Sequence, residues 1–170
     1  MSLIFDNDIM KQLLLVRHAK SSWDAPLRDF DRPLTNRGIQ DAHLVSSSIS
    51  NQLPNSFVVW SSASKRASET ALIFAQNISF PVESIVFKDD LYTFDEIKLE
   101  QIIKSCSDDY EHLFIFGHNE AITNFANLFG NIFIDNVSTS GFVNIIFEQN
   151  SWKDIENGIT KEVIFPRDLK

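Results

Sequence analysis

The sequence predicts an α/β domain of three layers, with a mainly parallel central sheet covered by helices on both faces. Three observations predict it. Short unbroken apolar runs recur along the chain, stretches with helical spacing separate them, and the runs lack the polar alternation of strands buried on one face only.

The first run is Leu13 to Val16, which stops abruptly at Arg17 and His18. Ile39, Ala42, Val45, Ile49 and Leu53 then recur at helical spacing, with Thr35 placed to cap the helix. A second strand is predicted over Phe57 to Trp60, followed by a helix starting near Ser64. A third, short strand falls at Ser84 to Phe87, ahead of a helix over about Glu96 to Cys106. The fourth strand is Leu113 to Phe116, and the helix after it carries Ile122, Phe125 and Phe129 and ends at Gly130. Phe142 to Phe147 forms a fifth strand. No linker, repeat or low-complexity stretch divides the chain, so residues 1–170 are expected to form one domain, with 1–10 a flexible or peripheral N-terminus.

Composition narrows the partners. The chain has 170 residues, a net charge of -8 and a pI near 4.9, so no basic field would draw in nucleic acid or an anionic membrane surface. No apolar stretch approaches the ~18 residues a membrane span needs. The N-terminal residues carry Asp6 and Asp8 where a secretory leader would be basic and then apolar. The single cysteine, Cys106, allows no internal disulfide and is read as a packed thiol in a reducing compartment. A cytoplasmic protein is expected.

In sheets of this kind ligands bind beyond the carboxyl ends of the strands. Arg17 and His18 follow the first strand, Arg66 lies in the helix turn after the second, and His118 and Asn119 follow the fourth. The expectation is that two arginines and two histidines converge on one rim. Guanidinium forks match phosphate oxygens, and helix N-termini add unpaired N–H donors, so the rim is expected to bind a phosphoryl group. A neutral imidazole attacks phosphorus well, and neighbouring cations favour the neutral form. His18 is the candidate nucleophile, and His118 a candidate donor to a phosphoryl oxygen. His43 and His112 are read as surface residues. The histidines show no compact metal-ligand spacing, and neither a metal nor a cofactor is expected. "LIFDND" offers Asp6 and Asp8 as an aspartate pair of the magnesium-dependent type, but too few apolar residues precede it to form a strong strand.

The segments "LVRHAKSSW", "RPLTNRGIQDA", "SSASKRASETA" and "FGHNEAI" follow one another in an order that resembles the histidine phosphatase (RHG, phosphoglycerate mutase-like) superfamily, with Ala19 where the signature usually has Gly. Shortness, "RHAKSSWD", "DRPLTNRG" and the terminal "FPRDLK" make the chain most similar to the SixA-type phosphohistidine phosphatases. The resemblance implies a phosphoglycerate mutase-like fold and phosphorylation of His18, with Arg17, Arg66 and His118 holding the phosphoryl group. By the same resemblance Ser21 is a candidate donor to phosphate, and Asn119 is placed with the substrate-binding residues. Asp24 falls where many relatives have Asn and is left without a role.

Relatives that act on alcohol phosphates commonly place a Glu after the third strand, where "KDDLYTF" offers Tyr92 and Thr93. Asp90, Asp24 and Asp31 are the remaining candidate acids. A protonated imidazole leaves phosphorus as a neutral ring, so a missing acid costs less with phosphohistidine than with an alkyl phosphate. The expected substrate is phosphohistidine in a protein of the phosphotransfer type. A metal-independent phosphomonoesterase for a small metabolite is the alternative, and a non-catalytic phosphoryl-binding module the alternative of another class.

Overall fold

The computed structural model describes residues 11–170. The expectations for residues 1–10, Asp6 and Asp8 included, lie outside the described residues. One sheet of six strands runs through the molecule in the order β3-β2-β4-β1-β5-β6. The strands are β1 (Lys11–Arg17), β2 (Val58–Ser62), β3 (Val86–Lys88), β4 (His112–Gly117), β5 (Phe142–Phe147) and β6 (Ile159–Ile164). The helices are α1 (Asn36–Ile49), α2 (Lys65–Asn77), α3 (Glu96–Lys104) and α4 (Ala121–Phe129). β1, β2, β3 and β4 pair in parallel, while β5 runs antiparallel to both β1 and β6.

The unbroken apolar run of β1 reflects burial on both faces. Leu13 and Leu15 point into one core with Leu99, Ile102 and Ile103 of α3 and Ile122, Phe125 and Phe129 of α4. Leu14 and Val16 point into the other, with Ala42, Val45 and Ile49 of α1 and Ala71 and Phe74 of α2. Alternate residues of one strand thus serve opposite cores, as the two-residue period of a pleat requires. The chain leaving β1 turns to the α1 face and the chain leaving β4 turns to the α4 face. A crevice opens where these adjacent strands diverge.

Several elements differ from the sequence reading. The third strand is shorter and later than Ser84 to Phe87, because a 3-10 turn at Val82–Ser84 takes up the start of that run. α1 ends at Ile49 rather than reaching Leu53, and the hydroxyls of Ser46, Ser48 and Ser50 each bond back to a carbonyl three or four residues earlier. Such bonds compete with continuation of the helix. Ile39, expected on the buried face, is 37% exposed. β6 was not expected, since "ITKEVI" mixes charge into its run and, at the sheet edge, Thr160 is its one buried residue. His112 is not a surface residue: it opens β4, is half-buried, and burial lowers its pKa. His43 is exposed, as expected, beside Asn77. Cys106 is buried, and burial pushes its thiol up to about 11. Among the described residues no helix is long and apolar enough to cross a membrane.

Candidate active site

Strand register sets the site. Arg17 pairs with Gly117 across β1 and β4, so His18 and His118 are the next residues beyond two adjacent parallel strands. His18 donates nothing to the ladder but its backbone N–H, which bonds the Gly117 carbonyl at 3.0 Å. The two imidazole rings lie 5.2 Å apart, centre to centre. From the neighbouring β2, Ser62 and the helix cap Ser64 bring hydroxyls to His118.

Each side chain is fixed by local structure. His18 Nδ1 lies 2.7 Å from the Ala19 carbonyl oxygen, and because a carbonyl only accepts, Nδ1 carries the proton. The lone pair is therefore on Nε2. Arg66 Nε donates to that nitrogen at 3.3 Å. Burial pushes the His18 pKa down to about 3, and Arg66, Arg17 and Arg32 lower it further against the opposing bond to Ala19. His18 is neutral and only 8% exposed. Burial likewise lowers the pKa of His118, whose Nε2 faces Ser62 Oγ at 2.8 Å and Ser64 Oγ at 3.3 Å. Ser62 Oγ accepts the Ser64 N–H, which leaves its hydroxyl hydrogen free for Nε2, and in that assignment the proton of His118 is on Nδ1. That buried Nδ1 has no hydrogen-bond partner among the described residues. Tyr92 and Phe94 pack edge-on to the ring, at 5.2 and 5.4 Å.

α2 starts with two cations, Lys65 and Arg66, although a helix N-terminus disfavours positive charge. Arg66 is compensated by Asp29. The Arg66 Nη1 donates to the Asp29 carbonyl at 2.5 Å, and Nη2 donates to its carboxylate at 2.9 Å. A guanidinium has five N–H groups; with Nε on His18, two remain for a ligand. Arg17 donates from Nη1 to the Val137 carbonyl at 2.9 Å, and its buried Nε has no partner among the described residues.

The structure places Arg66 and His118 against His18, with Arg17 near enough for its charge to act on both histidines, and it treats the other candidates differently. Ser21 accepts a hydrogen bond from Arg32 Nη1 at 2.6 Å, which ties it to the Ser21–Leu34 bridge. Asn119 has both ends of its amide engaged. Nδ2 donates to Asn136 and to the Val137 carbonyl, and Oδ1 accepts from Thr123 twice. It latches the loop before β5 to α4. Asp24 is exposed, and Asp31 pairs outward with Arg28 at 2.7 Å. Asp90 is exposed and lines a cavity with Lys98, Gln101 and Ser105. None of the three bonds to the cluster around His18.

The residue that does is Asp29, which sequence reasoning missed. Its carboxylate takes Arg66, the Nε and Nη2 of Arg32 at 3.2 and 3.1 Å, and the Tyr92 hydroxyl. Burial opposes its ionisation, but the bonds from Tyr92, Arg66 and Arg32 hold its pKa well below the usual carboxylate range. Asp29 opens a 3-10 turn, Asp29–Asp31, and Arg32 follows three residues later. That spacing was the one available signal, but it becomes a signal only once the turn is known. Among the described residues no group of three or more His, Cys, Asp or Glu is arranged to hold a metal ion.

A model of the histidine phosphatase superfamily (branch 1) matches residues 13–114, a span that runs from Leu13 in β1 to Phe114, halfway along β4, and holds Arg17, His18 and Arg66 but not His118. The chain belongs to that superfamily. An uncharacterized chloroplastic protein of Arabidopsis thaliana is 34% identical over 123 residues, which take in 66% of this chain and 56% of the relative. The chain thus spans little more than half of that relative's length. Solved structures of the same fold include the protein histidine phosphatase SixA complexed with tungstate, with a TM-score of 0.78 and 18% identity over 94% of this chain and 99% of that one. SixA of Agrobacterium tumefaciens superposes with a TM-score of 0.74 and 20% identity over 91% of this chain and 97% of that one. A phosphoserine phosphatase of Entamoeba histolytica in complex with 3-phosphoglyceric acid gives 0.62 and 16%, over 91% and 96%.

Proposed function

We propose that this chain is a phosphatase that moves a phosphoryl group onto His18 Nε2 and then to water, and that its substrate is phosphohistidine in a protein. The observation that carries the reading is the lock on His18. Its Nδ1 is committed to the Ala19 carbonyl and its neutral Nε2 sits against Arg66. An in-line attack by the Nε2 lone pair forms the N–P bond as the substrate's P–N bond breaks, and the electron pair goes to the departing ring nitrogen, which leaves in a neutral imidazole because the other ring nitrogen already carries a proton. Arg17, the two free N–H groups of Arg66 and Nδ1–H of His118 meet the charge spread over the transferring oxygens. Water then attacks phosphorus, the pair in the N–P bond returns to Nε2, and orthophosphate leaves with the water's proton passed to solvent.

The leaving group favours phosphohistidine. The carboxylate within the cluster, Asp29, is held ionised by Tyr92, Arg66 and Arg32 and so is a poor proton donor. Tyr92 is no better, since burial and Asp29 raise its pKa. An alkoxide would have to leave without help, whereas protonated imidazole needs none. The proposal takes residues 11–170 as one domain and places it in a reducing compartment, the cytoplasm, which suits the free thiol of Cys106.

A substrate panel tests the reading. Purified protein should release phosphate from a phosphohistidine-bearing protein with a kcat/KM at least about a hundredfold above that for sugar phosphates or phosphoserine, a gap of about 2.7 kcal/mol in the barrier. Preference for a small metabolite would favour the phosphomonoesterase reading. Phosphate binding without turnover of any substrate would leave a binding module.

A further inference from the structure

We propose that Asp29 is a positioning residue that also selects the leaving group: its fixed negative charge favours substrates whose departing atom is cationic before the bond breaks. The inference rests on the phosphatase reading and goes beyond it by naming the residue that sets its selectivity.

Three groups on three segments meet at this carboxylate, which the 3-10 turn carries: Arg66 on α2, Arg32 after the turn and Tyr92 after β3. Arg66 is 2% exposed and Arg32 is 6% exposed, while the Asp29 side chain keeps 40% of its surface, so its charge acts on them through short contacts rather than a long-range field. Without Asp29, Arg66 would lose its ion pair while standing near Arg17, which Glu120 faces, and Arg32 would lose its ion pair as well. With it, one of three positive charges is cancelled, and the side chain that cancels it grips the same guanidinium that touches His18 Nε2. The charge also reaches the second histidine, where Asp29 is the one nearby group that raises a pKa otherwise lowered by burial, His18, Arg66 and Arg17.

Two consequences follow for the first chemical step. Asp29 fixes the guanidinium plane, because the carbonyl and carboxylate of one residue hold Nη1 and Nη2 together. It also biases the field. A dianionic ester whose oxygen leaves with negative charge is repelled, while a phosphoramidate nitrogen protonated before cleavage is attracted, and the electron pair of the P–N bond departs onto that cation to give a neutral amine.

The test compares two probes on the same protein: phosphoramidate, which departs as ammonia after N-protonation, and p-nitrophenyl phosphate, which departs as an oxyanion needing no acid. For Asp29→Asn the ratio of kcat/KM for phosphoramidate over p-nitrophenyl phosphate should fall about tenfold. KM for p-nitrophenyl phosphate should fall, because an uncancelled cation binds the dianion more tightly. Asp29→Glu should restore most of the ratio. A purely structural role would lower both activities by one factor, and equal losses, or an unchanged ratio, would overturn the inference. Thermal unfolding of both variants shows whether the fold is kept, and inhibition by inorganic phosphate gives a binding readout that does not depend on turnover. Inhibition no tighter in Asp29→Asn than in the wild type would also count against it. If the wild-type protein turns over p-nitrophenyl phosphate but not phosphohistidine, the substrate reading fails while the selectivity ratio still judges Asp29.

Discussion

His18 and His118 are buried neutral bases, and this couples folding to pH. Burial and nearby cations hold both well below the ordinary 6.5, His18 at about 3. As pH falls below about 6.5 the unfolded chain takes up these protons and the folded chain does not. Stability present above that pH is therefore lost progressively as pH drops towards about 3, by up to ~1.4 kcal/mol per pH unit for each histidine. Urea unfolding at pH 7, 6 and 5 should show the decline, and His118→Gln should make it shallower. A free energy of unfolding that stays flat from pH 7 to 5 would mean that both rings take up protons in the fold as they do in the unfolded chain. The same neutrality gives His18 a usable lone pair, so the folding cost and the chemistry share one cause.

At the scale of elements, α1 and the loop after β1 meet at a point with no room for a side chain. A Cβ on Gly38 would stand 2.2 Å from the Lys20 carbonyl oxygen, which already accepts the Thr35 N–H. Gly to Ala within a helix ordinarily stabilises by ~1 kcal/mol. Here Gly38→Ala should destabilise by about 1–3 kcal/mol and move the loop that carries Ala19 and Ser21, lowering kcat with little change in the far core. Denaturant titration alongside kinetics would check it, and a stabilised variant with normal kcat would refute the contact. The helix start itself was legible, since Thr35 caps α1 as its sequence position suggests. So were the start of α2 near Ser64 and β1, β2, β4 and β5, because apolar runs and helical spacing are local signals. The 3-10 turn at Asp29–Asp31 and β6 were not. A three-residue turn has no period to read, and an edge strand carrying Lys161 and Glu162 lacks the apolar run of its buried neighbours.

The whole molecule brings the site together from distant parts of the chain. His18 follows β1, Arg66 lies in the first turn of α2, His118 follows β4, and Asp29 opens a 3-10 turn between β1 and α1 that Arg32 follows. Positions at strand ends could be anticipated from the fold class, and these supplied Arg17, His18, Arg66 and His118. The pairing of Asp29 with Arg66 spans 37 residues and depends on how the turn lies across α2, which no sequence pattern encodes. The same holds for Asn119, whose position beside His118 suggested the substrate while its amide is spent on Asn136, Val137 and Thr123.

The account's central claim is that this assembly makes His18 Nε2 the atom that receives the phosphoryl group. The most direct measurement is rapid quenching of the protein with substrate carrying a radiolabelled phosphoryl group. The account predicts a phosphoenzyme stable in base and labile in acid, formed within one turnover and mapped to His18, with neither label nor turnover in His18→Ala although that variant still binds phosphate through Arg17 and Arg66. A His18→Ala protein with near-normal turnover, or a label that maps to another residue, would contradict it.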